Sequence, residues 1–212
     1  MAKVMEQAPE PQELPGQRGP QQHEMRERIV RAAEQRFRHY GYGKTTVSEI
    51  ATDLSVSSAY IYKFFDSKIA ICEAVCGNLL GGIDEALWAD ARTSRTAAER
   101  LRRTYHILLE RSLAMFFDDR RLHDMVVTGL EQRWASISRH IEVMEEVARF
   151  LVQEGRVSGE FERKTPLDEV AKAVASTFSP FCHPVLLEHG LDGDLAARAD
   201  AVATVVLRGL SA

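Results

Sequence analysis

The chain has 212 residues, of which 45% are hydrophobic and 27% are charged, and its formal net charge is −4 at pH 7. This length allows one well-filled core or a small domain attached to a larger one, and we favour two units. No stretch approaches the roughly 18 consecutive apolar residues of a membrane span, and the N-terminus lacks the charged start and apolar run of a secretion signal. We therefore expect a cytoplasmic protein without a membrane partner.

The first 22 residues differ in composition from the rest of the chain. Residues 1–22 contain four of the seven prolines, several Gln and Glu, and few large apolar residues. Such a segment buries too little apolar surface to fold by itself, so we expect a disordered arm. Arms of this type can also enter a DNA minor groove when they carry arginine, and Lys3 and Arg18 are the basic residues available here.

Residues 45–68 contain two short helix patterns separated by a turn. Thr46 is a candidate N-cap, and Glu49 lies three positions later, where it completes a capping box. Apolar residues then recur at helical spacing, and Ser57 is placed to cap a second helix over residues 58–65. This arrangement is typical of a helix-turn-helix, in which the second helix enters the major groove of DNA.

The outward side of this second helix carries small and polar side chains. Ser58, Tyr60 and Lys63 have donors of the size needed to reach base edges and phosphates, and Ala59 offers a methyl group to a thymine methyl. Lys68, just beyond the helix, suits a phosphate contact. We therefore expect this side of the helix to face DNA.

Charge supports this interpretation only modestly. Between residues 24 and 70, Lys and Arg outnumber Asp and Glu by eight to six, whereas the whole chain is acidic. Because this local field is weak, phosphate binding would depend on placed side chains and helix ends more than on bulk attraction.

Residues 28–75 carry a long ordered pattern. It combines a first-helix apolar stripe, a glycine exit, a second-helix signature and a recognition-helix signature: Ile29, Ala32, Ala33 and Phe37; Gly41-Tyr42; Thr45-Thr46-Val47 with Ile50-Ala51; and Val56-Ser57, Tyr62, Phe65 and Lys68. This pattern resembles the DNA-binding region of the TetR family of bacterial transcriptional regulators. Two positions depart from the family: Ser55 holds a turn position often occupied by Gly, and Tyr60 replaces a small hydroxyl residue, which suggests an altered base preference.

The resemblance implies a role for each residue of this surface. It assigns base contacts to Ser58, Ala59, Tyr60 and Lys63. It assigns phosphate contacts to Thr46, Ser57, Tyr62 and Lys68. Simpler roles remain open, since Thr46 and Ser57 would serve equally well as helix caps, Tyr62 could pack on the first helix, and Lys63 could be a solvated surface charge.

The remaining chain predicts further helices and no strands, so the expected fold is all-α. Helices are expected over residues 67–91, 96–116, 120–134 and 136–154, with Gly155 ending the last of these. Two more are expected to begin at caps Thr165 and Asp194, with a kink or break near residues 179–183 because of Pro180 and Pro184. We divide the chain into the arm at 1–22, a three-helix DNA-binding domain at 23–68, and a helical effector-binding and dimerisation domain at 69–212.

The last two predicted helices carry apolar residues on more than one side, so one copy cannot cover them. The resemblance implies a homodimer in which these helices form a four-helix bundle with those of a second copy. The expected interface residues are Val170, Val174, Phe178, Val202, Val205 and Val206. The operator would then be a near-palindrome in double-stranded DNA, with half-sites about 34–36 Å apart or somewhat farther.

Aromatic, Met and His residues in the middle of the chain are candidates for an effector pocket, as in the family. These residues are Trp88, Tyr105, His106, Phe116, Met125, Trp134 and Phe178, with Met115, Phe117 and Met144 as further members. Each of them would also be ordinary as a core residue. An effector that binds better to a form in which the two recognition helices are wrongly spaced would weaken DNA binding. We expect the helix after Ser67 to transmit this change, with Gly77, Gly81 and Gly82 allowing it to bend.

We therefore predict a ligand-responsive TetR-like repressor with no cofactor and no catalytic activity. No hydrolase, phosphate-loop, dinucleotide or zinc-protease motif is present. A metal- or redox-responsive regulator, or an activator, remains the alternative. The candidate donors are His123, His140, His183 and His189 with Cys72, Cys76 and Cys182, although none has a tight metal-ligand spacing.

Overall fold

The computed structural model describes residues 18–212, with side chains from residue 21 onwards. Within these residues the chain forms eleven helices and one isolated antiparallel bridge, between Phe161 and Ser211. The prediction of an all-α fold with an N-terminal three-helix domain is confirmed. No helix in this part of the chain is long and apolar enough to cross a membrane.

Of the predicted disordered arm at residues 1–22, the structure describes only residues 18–22. Helix α1 spans Arg18–Tyr40, so residues 18–22 are helical, contrary to the prediction. Gln21 and Gln22 are good helix formers, and a proline is tolerated in a first turn, where its missing N–H costs no hydrogen bond. Residues 1–17, and with them the proposed groove role of Lys3, lie outside the described residues.

The helix-turn-helix follows the sequence pattern closely. Helix α2 spans Val47–Asp53 behind a complete capping box, and α3 spans Ser58–Ile61 behind its N-cap Ser57. The second helix was predicted to run to Phe65. Instead, residues 62–65 form tighter turns, with Lys63 N donating to Tyr60 O (3.2 Å) and Phe64 N to Ile61 O (2.9 Å), which is 3₁₀-type bonding.

The C-terminal region contains the other eight helices. They are α4 (Lys68–Ala91), α5 (Ala97–Asp118), α6 (Arg120–Glu131), α7 (Ala135–Ser158), α8 (Leu167–Ser176), α9 (Ser179–Cys182), α10 (Pro184–Gly190) and α11 (Leu195–Leu210). Helix α4 packs against α1 on one side and against α5 and α7 on the other. It therefore belongs to the cores of both regions.

Three of the four predicted helix caps in this region are confirmed by hydrogen bonds, whereas the predicted cap at Thr165 is wrong, because α8 begins after Pro166 with no side-chain cap bond. Ser67 accepts from Ala70 N (3.1 Å), Thr96 forms a capping box with Glu99, and Asp194 accepts from Ala197 N (2.9 Å). The break between residues 177 and 183 is also present, because Pro180 and Pro184 lie in the first turns of two new short helices.

The predicted end of α7 at Gly155 is wrong. The helix continues to Ser158, and Gly159 ends it in the left-handed conformation, with φ +82°. Gly155 has a packing role instead, because the ring of Phe161 lies directly on it and a Cβ at this position would overlap that ring. A glycine required for close approach looks the same in sequence as one that ends a helix.

Candidate DNA-binding surface and internal cavity

The outward side of α3 contains the residues predicted to contact bases. Ile61 and Phe65 are buried beneath it. Ala59 and Lys63 are exposed, and Ser58 and Tyr60 are half-buried. All four predicted base-contact residues are therefore accessible, three on α3 and Lys63 on the turn that follows it.

Tyr60 and Lys63 belong to a single patch. The Tyr60 ring packs edge-on against Phe64, with ring centroids 5.3 Å apart. The Lys63 ammonium lies 5.6 Å from the Tyr60 ring centroid, within reach of a cation–π contact. The tyrosine that departs from the family pattern thus has a defined position next to the one lysine of α3 and its following turn.

The predicted phosphate contacts are divided between caps and free side chains. The backbone amide and hydroxyl of Thr46 donate to Glu49 Oε2 at 2.7 and 2.9 Å, and these two bonds lower the pKa of Glu49. Ser57 accepts from Tyr60 N at 3.1 Å. Thr46 and Ser57 therefore act as caps, whereas Tyr62 is 50% exposed. Lys68 lies with Nζ 5.1 Å from the ring centroid of Tyr42.

Two arginines of α1 hold this surface in place, and sequence reasoning did not find them. Arg26 donates to Phe64 O (2.6 Å), and its guanidinium lies 4.0 Å from the Phe65 ring centroid. Arg36 binds Asp53 through both ends of its fork, with Nη2 2.9 Å from Oδ1, and this hydrogen bonding lowers the pKa of Asp53. The partners are 38 and 17 residues apart, so no local spacing indicates them.

The turn between α2 and α3 is preserved without glycine. Ser55, which replaces the usual Gly, adopts φ +56°. A non-glycine residue in this region is strained by contact between its Cβ and the backbone. The turn therefore keeps its geometry at a local cost in stability.

The C-terminal region encloses a cavity of about 430 Å³. This volume falls within the range of about 300–1,000 Å³ found for small-molecule sites. Helices α4 to α10 all contribute to its wall, which is mostly apolar, with Leu80, Met115, Val126, Met144 and Leu187 among the lining residues. The exposed members of the lining, Ile141, Lys172 and Ser176, lie on α7 and α8, from which we infer that the cavity opens to solvent on the side of these two helices.

Three histidines line the cavity, and they differ in how they are satisfied. His140 Nδ1 donates to Asp84 Oδ1 at 2.6 Å, since a carboxylate can only accept. His123 is 3% exposed, and within the described residues neither of its ring nitrogens has a hydrogen-bond partner. Nδ1 of His183 is also buried without a partner there. The cavity therefore contains polar atoms that the protein itself leaves unpaired.

Helix α6 connects this cavity with α1, the first helix of the helix-turn-helix unit. His123, Val126 and Leu130 of α6 line the cavity. At the start of the same helix, Arg121 donates to Arg38 O at 3.2 Å, and Arg38 also forms an ion pair with Asp119. The cavity wall and the end of α1 are thus joined by one rigid element.

A second contact joins the same two regions beyond the C-terminal end of α6. Tyr42 packs edge-on against Trp134, with ring centroids 6.4 Å apart. Trp134 is buried and precedes α7, and Glu73 of α4 accepts a hydrogen bond from Ala135 N (3.0 Å). Movement at either end of α6 would therefore be transmitted to α1 or α4.

Comparison with known proteins covers both parts of the chain. Residues 29–75 match the sequence profile of bacterial regulatory proteins of the tetR family. Residues 97–203 match the tetracyclin repressor-like C-terminal domain. The chain belongs to the TetR family. It is accordingly a TetR-family transcriptional regulator with a helix-turn-helix DNA-binding domain. A search of curated protein sequences found no match.

Solved structures with the TetR fold are similar along almost the whole chain. A TetR-family regulator from Pectobacterium atrosepticum shares 20% identity with a TM-score of 0.70, over 91% of this chain and 97% of that one. FadR of Bacillus subtilis in complex with stearoyl-CoA shares 21% (TM-score 0.61, 87% and 98% covered). FadR of Thermus thermophilus, a repressor in complex with lauroyl-CoA, shares 22% (TM-score 0.60, 88% and 95% covered). At these identities the likeness establishes the fold.

The seven residues predicted for the effector pocket of this TetR-family chain lie outside the cavity lining. Tyr105, Met125, Trp134 and Phe178 are core residues, and the Tyr105 hydroxyl is bonded to Thr177 Oγ1 at 2.6 Å. The other three lie nearer the surface: Trp88 packs on Phe150, His106 binds Asp200 at 3.0 Å, and Phe116 packs on the outside of His123. Of the wider set, Met115 and Met144 line the cavity. Large aromatic residues fill the core here, whereas medium-sized residues surround the space.

Of the six residues predicted for the dimer interface, three are buried within the protomer and three lie at least partly on the surface. Val170 and Val174 are buried within the protomer because α8 turns its apolar side towards α7, and Phe178, just after α8, is buried against Tyr105 of α5. They are therefore not available to a second copy in this structure. Val202 and Val206 are half-buried, and Val205 is 69% exposed on the outer side of α11.

The three cysteines are free thiols in protected positions. Cys72 and Cys76 are buried in α4, and Cys182 lines the cavity. Burial raises the pKa of Cys72 and of Cys182 to about 12, and it also raises that of Cys76. The thiolate is the reactive form, so these groups are poorly activated at neutral pH. Among the side chains described, no three of His, Cys, Asp and Glu come together as a metal site.

Proposed function

We propose that the protein is a homodimeric repressor that leaves a near-palindromic operator when a small, mainly apolar effector fills the cavity. The observation that carries this proposal is the position of α6. Its residues form part of the cavity wall, and its first turn is bonded to the end of α1 through Asp119 and Arg121. An effector that shifts α6 would change the orientation of the DNA-reading helices.

On this proposal, Ser58, Ala59, Tyr60 and Lys63 read bases. The exposed side of α3 supports the assignment, and the cation–π patch of Tyr60 and Lys63 gives this protein its own base preference. Tyr62 and Lys68 contact phosphates with their side chains. Thr46 and Ser57 contribute mainly through the helix N-termini that they cap.

The proposed effector site is the cavity of about 430 Å³. Its apolar wall and its opening between α7 and α8 suit a ligand with an apolar body that enters from solvent. Since two proteins of this fold were solved with acyl-CoA molecules, ligands whose apolar body is an acyl or alkyl chain are the first effector class to test.

The proposed dimer uses the outer side of α11, with Val205 near its centre. Its exposed valine, flanked by the half-buried Val202 and Val206, gives this side an apolar strip. A twofold axis here would present two copies of α3 to successive half-sites on one face of the duplex.

Linkage sets the expected size of the response. An effector that weakens operator binding by a given factor must itself be bound more weakly by the DNA complex by the same factor. Typical coupling free energies of about 1–3 kcal/mol correspond to about 5- to 150-fold.

Footprinting upstream of the protein's own gene tests the proposal, because it reports operator, symmetry and ligand response together. We expect a protected near-palindrome that overlaps a promoter, repression in a transcription assay, and release on addition of the effector. Protection of a single half-site, or activation of transcription, would contradict the dimeric repressor.

A further inference from the structure

The cavity has an unusual polar group for a mostly apolar space. His123 is 97% buried, and within the described residues neither ring nitrogen has a partner. Its Nδ1 lies 3.7 Å from Asp124 Oδ1, beyond hydrogen-bonding distance. A buried polar group without a partner is costly, and native structures rarely keep one without a reason.

The neighbouring histidine shows what a satisfied group in the same wall looks like. His140 is equally buried, but its Nδ1 is fixed by Asp84 at 2.6 Å. The fold therefore provides a carboxylate partner for one cavity histidine and none for the other. This contrast indicates that the partner of His123 comes from outside the protein.

We propose that His123 is the hydrogen-bonding anchor for an uncharged carbonyl or hydroxyl group on an otherwise apolar effector. The inference rests on the cavity being the effector site proposed above. His183, whose Nδ1 is buried without a partner on the same lining, is a second contact for such a group.

The charge of the bound group follows from the surroundings. Burial, and then the nearby Arg120, lower the pKa of His123, so the imidazole is neutral and offers one donor and one acceptor. The charged residues of the lining, Glu145 and Lys172, lie on α7 and α8, where the cavity opens. Of the described residues that line the cavity, Lys172 is the only cation, so an ionised carboxylate buried beside His123 would have no cationic lining residue within reach, which makes an ionised group unfavourable there.

A matched series of ligands tests the anchor: decane, methyl octyl ketone, decanol and decanoate, each titrated by calorimetry at neutral pH. We expect His123→Leu to weaken the ketone and decanol by about five- to tenfold, the size of one net hydrogen bond, while decane is unaffected. His123→Gln should retain most of the affinity for the ketone. Decanoate should bind the wild-type protein more weakly than the ketone does.

Thermal unfolding of the ligand-free protein gives an independent readout. His123→Leu removes an unpaired polar group, so we expect Tm to rise by about 2–4 °C. His140→Leu is the matched control, and its Tm should fall because Asp84 loses its partner. A lower Tm for His123→Leu would give the residue a structural role and overturn the proposal. Equal weakening of decane and ketone in that variant, or tightest binding of decanoate, would overturn it as well.

Operator binding measured with the same ligands separates the two proposals. If His123→Leu discriminates ketone from decane but no ligand releases DNA, the anchor stands and the release mechanism fails. If the ketone releases DNA equally from wild type and His123→Leu, the release mechanism stands and the anchor fails.

Discussion

The helix-turn-helix unit (α1–α3) and the cavity unit (α4–α11) differ in how well their polar groups are satisfied when no ligand is bound. In the first, the cap residues are bonded locally, as between Thr46 and Glu49, and the side chains proposed to read bases, such as Lys63, are exposed to solvent. In the second, His123 has already lost its water and has no partner. DNA binding therefore adds contacts to a surface that is stable without them, whereas effector binding would recover a cost already present in the free protein.

The largest effect is expected at the surface where the cavity unit would meet its copy. Val205→Glu would bury a charge without a partner in the proposed dimer, which costs about 3–5 kcal/mol, so we expect monomers by analytical ultracentrifugation. Val157→Glu is the matched control, because Val157 is also a valine with 69% exposure, on α7. Unchanged dimerisation in the Val205 variant would exclude the outer side of α11 as the interface.

The next effect concerns α3. Lys63→Ala should weaken specific operator binding by about 1–3 kcal/mol, whereas Lys68→Ala should weaken binding to all sequences and reduce the salt slope by about one. Neither side chain is buried, so thermal stability should stay within about 0.5 kcal/mol. Fluorescence anisotropy across a salt series measures both, with the exposed Lys164 on the loop before α8 as the control. Wild-type operator affinity in both variants would refute the assigned surface.

Two helix glycines should respond in opposite directions. Gly155→Ala forces a methyl group into the Phe161 ring and should cost about 1–3 kcal/mol. Gly81→Ala in α4 meets no atom within 4 Å and should stabilise the helix by about 0.5–1 kcal/mol. Chemical denaturation measures both changes. A stiffer α4 should also reduce effector-driven release, and an unchanged response would remove bending of α4 from the mechanism.

The smallest effect compares one strained residue from each unit. Ser55 and Arg133 have φ of +56° and +55°. Glycine would relieve about 1–2 kcal/mol of strain but lose about 0.4–1 kcal/mol through greater freedom of the unfolded chain. We therefore expect Ser55→Gly and Arg133→Gly each to stabilise the protein by between zero and about 1.6 kcal/mol in denaturant titrations. Destabilisation by Ser55→Gly would show that the serine side chain supports the turn.

Sequence reasoning was strongest where the signal is short in range. The caps at Thr46, Ser57 and Thr96 involve residues three positions apart, and all three are present. Pro180 and Pro184 act through their own backbone, so the break that they cause was also predictable. Such local signals determine where helices begin and break, and the longer pattern of residues 28–75 indicated the family.

The cavity could not be predicted because it results from packing between distant segments. Its lining extends from Leu80 to Leu187, and a space appears only where seven helices fail to fill the interior. Aromatic residues such as Tyr105 and Phe178 were reasonable candidates, but they fill the core and do not line the cavity. The dimer prediction had the same difficulty, since apolar spacing on α8 does not show whether α7 or a second copy covers it.

The proposed regulation depends most on coupling between the cavity and α3. The direct test is to measure operator affinity by anisotropy while titrating a ligand that binds wild type in calorimetry and is weakened by His123→Leu. We predict that saturating ligand raises the operator Kd by about 5- to 150-fold, and that operator DNA weakens the ligand by the same factor. An operator Kd that stays unchanged at saturating ligand would show that ligand binding in the cavity is not coupled to DNA binding.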